Sequence, residues 1–405
     1  MRTSFLVVLT TVQLAHAQPE PPPPDVPVVA PTPVQDEQLT VTYDRGLTFA
    51  SRDGKFGLRI QFRNQLRFET TRPTEDNSQF ASHFLIPRAR LTVDGHVFGK
   101  TTRYRLESTF GDTGSFSFIR DLFVDQQLSP AKVWLRAGVW KRPFNRQELV
   151  SDFASEFNER AITATFAGGG RDLGLAIHND YEKSPEGLEW VIGVFNAFNG
   201  GEDRPDIGGC TTNAMTGTTA CPPPTNFPVD FGPTIVAHAG WNSGDIKGYS
   251  EGDLEGGPLR WAAGAAYKID LANLGEGDEE SVSDNLSHGL QVDGMLKASG
   301  VSVEVGAYMM KIKSADAGFG AFGQLGYMLV LKRVQAAGRF ALAPDPRNAD
   351  RDLIEARVAV NLFWQGHAWK WATDAGVLKT TGEDPMTMES DKPDFVLRSM
   401  LQLTL

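Results

Sequence analysis

Arginine spacing carries the clearest chemistry in this chain. Arg59, Arg63 and Arg67 form one series, followed by Arg88 and Arg90, then Arg103 and Arg105. Within each group the residues lie two or four apart, which places them on one face of an extended strand. A guanidinium keeps its charge at any physiological pH, and its planar fork suits bidentate contact with an oxyanion. Seven such groups lining one surface would attract and pass on phosphate-like anions without making or breaking bonds. Catalytic patterns are thin by comparison. His83, His96, His178, His238, His288 and His367 are scattered, with no i, i+4 pair and no nearby cysteine to complete a metal site. Gly168-Gly169-Gly170-Arg171 resembles a phosphate-cradling loop only superficially, because no Lys-Ser or Lys-Thr follows and a strand pattern comes next. Nothing in these patterns asks for a cofactor or for enzyme activity.

The elements that position the arginines have period two. Phe56, Leu58, Ile60, Phe62, Leu66 and Phe68 take one face of the first strand, and Arg59, Gln61, Arg63, Gln65, Arg67 and Glu69 take the other. Fifteen further alternating segments follow, at 84–97, 102–111, 116–127, 132–140, 173–179, 188–196, 234–241, 259–269, 288–298, 301–311, 319–330, 334–342, 355–364, 369–379 and 395–405. Connections after even-numbered segments are mostly short, and several after odd-numbered ones are long. An even number of strands of about ten residues, with short turns on one side and long loops on the other, predicts a transmembrane antiparallel β-barrel. The last segment agrees, with Phe395, Leu397, Leu401, Leu403 and Leu405 on one face. Trp134, Trp140, Trp190, Trp241, Trp261, Trp364, Trp369 and Trp371 fall largely near strand ends, as aromatic girdles would. Pro87 has no N–H for the ladder, so a bulge is expected there.

Composition narrows the class further. The 405 residues are 41% hydrophobic and 22% charged, which excludes general disorder, and no segment has the roughly 18 to 20 consecutive apolar residues of a spanning helix. A net charge of −11 argues against nucleic acid as a partner. Residues 1–17 read as a signal peptide: Arg2, an apolar run from Phe5 to Leu14, and Ala15-His16-Ala17 for cleavage. Residues 18–46 read as a proline-rich periplasmic linker, and 47–405 as the barrel domain. Export would expose Cys210 and Cys221 to an oxidising compartment, and a disulfide between them is predicted.

A series of short motifs resembles the phosphate-selective porins O and P of Gram-negative outer membranes. It runs through Ile86-Pro87-Arg88-Ala89-Arg90-Leu91, Gly138-Val139-Trp140-Lys141-Arg142-Pro143-Phe144 with Glu148-Leu149, Asn158-Glu159-Arg160-Ala161 and Gly170-Arg171-Asp172-Leu173-Gly174. Later come Phe195-Asn196, Gly326-Tyr327-Met328-Leu329 and Asn361-Leu362-Phe363-Trp364. The resemblance implies a trimer of sixteen-stranded barrels in outer-membrane lipid and lipopolysaccharide, each passing small anions by diffusion. It also implies that the loop after the fifth strand folds inward as the constriction. Here that loop would carry Lys141, Arg142, Arg146, Arg160 and Arg171, beside Glu148, Asp152, Glu156 and Glu159. Pro87 replaces the first of an arginine pair common in the family, which bears on strict phosphate selectivity and not on the porin reading.

Charge is unevenly placed along the chain. Residues 41–172 hold 20 Lys plus Arg against 15 Asp plus Glu, whereas 173–405 hold 18 against 31. Much of the acidic excess, as at Glu276, Asp278, Glu279 and Glu280, falls in expected loops. If the apolar faces meet lipid, the seven arginines point into the lumen. There they either form a column of free positive charge or pair with carboxylates on neighbouring strands to stiffen the wall. The first gives an anion-preferring channel. The alternatives are a general non-selective porin, or a structural or enzymatic outer-membrane barrel.

Overall fold

The computed structural model describes residues 39–72, 79–111, 117–130, 132–196, 211–212, 219–220, 233–271, 286–311, 316–345, 348–381 and 393–405. Sixteen antiparallel strands close into one barrel. They are β1 Gly57–Arg72, β2 Ala81–Val97, β3 Thr102–Gly111, β4 Ser117–Ser129, β5 Val133–Lys141, β6 Arg171–His178, β7 Gly187–Phe195 and β8 Thr234–Ser243. The second half is β9 Arg260–Asp270, β10 Ser287–Ala298, β11 Val301–Lys311, β12 Gly318–Val330, β13 Val334–Asp345, β14 Asn348–Gln365, β15 Trp369–Thr380 and β16 Asp394–Thr404. Closure is made by β16 on β1, from Phe395 opposite Arg72 down to Thr404 opposite Arg63. Leu405 then exchanges both backbone hydrogen bonds with Phe62.

The alternation has the sense expected of a membrane barrel and opposite to that of a soluble one. Phe62, Leu66, Leu175, Ile192, Val358 and Val360 are exposed on the outside, while Gln65, Glu107, Gln291, Gln335, Asn361 and Gln402 are buried inside. Burying the polar set and wetting the apolar set would be costly in water, so the outer surface is built for lipid.

Particular residues fit the strands together. Gln65 faces Arg88 and Arg67 faces Leu85, so Ile86 and Pro87 together oppose Leu66 in a bulge. The bulge takes the proline out of the regular ladder, as anticipated. At Gly138 φ is +135°, and a Cβ there would lie 2.1 Å from the Leu122 carbonyl oxygen, so only glycine lets β5 run this close to β4.

Three expectations need correction. Thr40–Tyr43, assigned to the linker, instead pairs with Leu47–Ala50 in an N-terminal hairpin whose second strand extends the ladder on Gly57–Ile60. Trp134 and Trp140 are buried inside the barrel, while Trp241, Trp261, Trp364 and Trp371 are exposed at the end bearing the short turns. Finally, the connection 244–259 follows an even-numbered strand yet folds inward, burying Ile246, Glu251 and Asp253. The signal peptide, most of the linker, Cys210, Cys221 and the Glu276 to Glu280 cluster lie outside the described residues.

Candidate functional site

Between β5 and β6 the chain leaves the wall and crosses the barrel interior. It opens with a short helix, α1 Arg146–Leu149, whose N-cap Asn145 accepts from the Gln147 backbone N–H at 3.1 Å and from the Tyr308 hydroxyl at 2.9 Å. A second helix, α2 Ile162–Ala167, ends at Gly168 in the left-handed conformation. Lys268 donates to the orphan carbonyls of Ala167 and Gly168 at 3.0 and 2.9 Å, which completes the cap. An apolar cluster including Phe144, Ala161 and Ala167 packs this segment against Tyr308, Phe322 and Ala341 of β11, β12 and β13.

Inward-facing side chains hold the middle of the loop. Gln65 reaches the Asp152 carbonyl, Gln402 that of Phe153, Lys370 that of Ser155, Asn361 that of Glu156 and Arg339 that of Glu159, at 2.6 to 3.2 Å. The buried loop therefore has its backbone acceptors paired from β1, β13, β14, β15 and β16, as a dry interior demands. The inward turn 244–259 grips it from the other side: Glu251 donates its N–H to the Ala154 carbonyl at 2.8 Å, and its carboxylate accepts from the Glu156 N–H at 2.7 Å.

All seven arginines singled out from the sequence have carboxylate partners. Arg59 binds Asp94 at 2.9 Å, and Arg103 binds Asp180 at 2.9 Å while lying over the Trp134 ring. Arg63 pairs with Glu107, as does Arg105 at 2.8 Å. Arg67 meets Glu69 at 3.0 Å and also Glu159, Arg88 binds Glu159 at 2.6 Å, and Arg90 binds Asp152 at 2.6 Å. The geometry is that of a paired wall rather than a bare column of charge.

The five loop residues divide. Arg146 is buried between Glu189, at 3.0 Å, and Asp293, and anchors the loop to β7 and β10. Arg142 donates to the Gly169 carbonyl at 2.8 Å, and Arg160 to Asp152 at 2.6 Å, so both brace the loop itself. Lys141 and Arg171 instead join Arg63, Arg90 and Arg105 around a cavity of about 230 Å³ between the loop and the wall from β1 to β4. Glu107, Asp121 and Glu182 line it too, with Phe123, Trp140, Leu149, Ser151 and Tyr249. Five cations against three carboxylates leave a surplus of two. Trp140 Nε1 and the Nε atoms of Arg63, Arg90 and Arg105 make no hydrogen bond among the described residues, and all four are donors.

Sequence reasoning named Asp152 without its role and missed Glu107, the two hubs of this network. Asp152 collects Arg90, Arg160, Arg88 and Arg120 within 3.9 Å, and Glu107 collects Arg63, Arg105, Arg120, Arg90 and Arg171. Burial alone would raise the Asp152 carboxyl, but Arg160, Arg88 and Arg90 outweigh it and hold it well below the ordinary carboxylate range. Glu156 is the opposite case: burial, then the neighbouring Glu251 carboxylate, push it up to about 7. Arg120 escaped notice because it precedes Asp121 on one strand, where strict alternation turns one of the two outward; a register shift between Glu107 and Thr109 breaks that alternation.

A sixteen-stranded barrel with an inward loop after its fifth strand is the architecture the motif series implied. Residues 58–217 match the family model of phosphate-selective porin O and P. The chain is a β-barrel protein of the Gram-negative outer membrane, similar over that segment to this porin family. Solved structures agree on the fold. An anion-selective porin from Comamonas acidovorans superposes with a TM-score of 0.53 at 10% identity, covering 86% of this chain and 99% of its own. OprB of Pseudomonas putida gives 0.53 at 10% identity over 87% and 95%, and the outer-membrane channel DcaP of Acinetobacter baumannii gives 0.51 at 12% over 88% and 99%. No curated protein sequence matches the chain.

Proposed function

We propose that this barrel is a porin that passes small anions, phosphate or similar oxyanions among them, by passive diffusion, and that it does so as a homotrimer. The observation that carries the anion reading is the cavity beside the constriction loop, where five cations face three carboxylates and every orphan polar atom named above is a donor. Orphan donors in a confined space favour a solute that brings acceptors, and an oxyanion brings several. The match of residues 58–217 to a phosphate-selective family and the anion-selective porin among the structural neighbours support the same reading. The trimer rests on the family resemblance.

A second reading, a general non-selective porin, is favoured by one observation: each of the seven arginines is already paired, so the wall as a whole carries little free charge. Bilayer recording under a salt gradient separates the two. A zero-current potential of the sign set by chloride supports anion passage, and one near zero or of opposite sign supports the general porin.

A further inference from the structure

The constriction loop and the inward turn 244–259 meet at a cluster of buried carboxyl groups. Glu156 of the loop, Glu251 of the turn and Glu304 of β11 are 2%, 4% and 3% exposed, and none of the three forms an ion pair among the described residues. Asp152 and Glu107, by contrast, are each ringed by arginines. Neutral donors hold the Glu156 side chain: its Oε1 accepts from the Ser302 hydroxyl at 2.6 Å and the Gln335 amide at 2.5 Å, its Oε2 from the Gln324 amide at 3.3 Å. The same Gln324 nitrogen lies 3.4 Å from Glu304, so two carboxyl groups share one donor. Glycine makes the room, because a Cβ at Gly326 would lie 2.0 Å from Glu156 Oε1.

Charged groups face Glu156 from several elements. The turn supplies Glu251 and Asp253, β11 supplies Glu304, β10 Lys297, β15 Lys370, and the connection before β15 His367. Asp253 pairs with Arg260. Lys297 donates to the Lys247 and Ser250 carbonyls at 3.0 and 2.5 Å, and Lys370 to the Ser155 carbonyl at 2.6 Å, so both lysines tie backbone to the wall. With its neighbouring cations engaged in this way and a second carboxylate close by, Glu156 ionises only at a cost. The joint between the two segments runs through the same residues. Glu251 donates its N–H to the Ala154 carbonyl, and the Glu251 carboxylate accepts the Glu156 N–H, so charge on Glu156 is set against the group that its own backbone binds.

We infer that this joint is a proton-dependent latch: with Glu156 protonated the inward turn holds the constriction loop in place, and with Glu156 ionised beside Glu251 the turn lets go. Burial, then the Glu251 carboxylate, push the Glu156 carboxyl from 4.5 up to about 7. If the freed side chain titrates at its ordinary value, the protonated latch is favoured at low pH. Release then gains about 70-fold between pH 5 and pH 8. The effect on current rests on the reading of the barrel as a pore, whereas protection of the joint does not.

The test is hydrogen exchange by mass spectrometry on the full-length refolded protein at pH 5 and pH 8, with labelling times scaled for the faster chemical exchange at the higher pH. Wild type is compared with Glu156→Gln and Glu251→Gln, each first checked for folding by heat-modifiable mobility. Peptides over 150–160 and 244–259 should lose protection by at least about tenfold at pH 8 in wild type, while β11 stays protected. Glu156→Gln, neutral at both pH values, should stay protected at both, and Glu251→Gln should weaken the dependence. Equal protection of wild type at the two pH values, or an undiminished dependence in Glu156→Gln, would overturn the latch. Single channels recorded over the same range separate the two readings. A silent barrel whose joint still opens with pH keeps the latch and removes the porin, and a conducting barrel with flat exchange does the reverse.

Discussion

Arg105→Gln isolates the charge of the cavity from the architecture of the loop. Arg88 and Arg90 are the more obvious targets, but they hold Glu159 and Asp152, so replacing them also loosens the constriction loop. Arg105 lines the cavity and among the described residues forms ion pairs with Glu107 and Asp121 on the wall, and Glu107 retains Arg63, Arg90, Arg120 and Arg171 when Arg105 goes. The substitution lowers the surplus among the lining charges from two to one. For an ion passing about 6 Å from that charge in water-like surroundings, Coulomb's law gives about 0.7 kcal/mol, or about threefold in local concentration. The anion loses that factor and the cation gains it, so the chloride-to-potassium permeability ratio should fall about tenfold. The control is Lys100→Gln in the exposed β2–β3 turn, which should leave the ratio within about twofold, because charges in open solution are screened beyond about 8 Å. The assay is the zero-current potential of single channels under an asymmetric salt gradient. An unchanged ratio in Arg105→Gln, or an equal change in Lys100→Gln, would refute the view that the cavity sets selectivity.

Asp152→Asn leaves Arg90 and Arg160 facing a neutral amide in a buried cluster, and should destabilise the loop by about 3 to 5 kcal/mol, seen as a lower urea midpoint and a noisier open channel. Glu156 has its carboxyl raised from 4.5 to about 7, so across that window the folded chain holds a proton that the unfolded chain has released. Stability therefore falls as pH rises through the window, and Glu156→Gln should flatten the dependence of the urea midpoint on pH. Gly138→Ala should abolish heat-modifiable folded barrel on a gel, because its Cβ would collide with the Leu122 carbonyl. Cys210 and Cys221 should be found joined, adding roughly 2 to 3 kcal/mol, and two alkylated thiols by mass spectrometry of unreduced protein would remove that idea.

The barrel was legible because its signal is local. Each strand states its own two faces, and Thr102–Gly111 and Val301–Lys311 end where the alternation ends. The bulge at Pro87 was legible for the same reason, since a missing N–H is a property of one residue. The partners of the arginines were not. Asp152 meets Arg90 across 62 residues of chain, and Arg146 meets Asp293 across 147, contacts that depend on how the loop crosses the interior. The inward turn 244–259 was invisible for a related reason: its length can be counted, but its direction is decided by Glu251 finding the Ala154 carbonyl and the Glu156 N–H, which no periodicity records.

Pairing of the arginines and a preference for anions are compatible, because selectivity depends on the residual charge where the passage is narrow and not on the number of cations along the wall. Arg59–Asp94 and Arg103–Asp180 are neutral pairs away from the cavity, and each presents little field to an ion at a distance. Beside the loop the pairing is incomplete in a particular sense: Glu107 is shared by Arg63, Arg90, Arg105, Arg120 and Arg171, and one carboxylate cannot neutralise five guanidiniums. Among the groups that line the cavity, Glu107, Asp121 and Glu182 stand against Arg63, Arg90, Arg105, Arg171 and Lys141, a surplus of two. That surplus is smaller than the five obtained by counting residues 41–172, so the sequence count overstates the field an ion meets. Two charges at about 6 Å correspond to roughly tenfold enrichment of an anion, which is weak to moderate selectivity and leaves cations admitted at a reduced rate. A strictly phosphate-selective channel would need the donors of Trp140, Arg63, Arg90 and Arg105 to converge on one oxyanion, and saturation of the chloride current by millimolar phosphate would reveal such convergence.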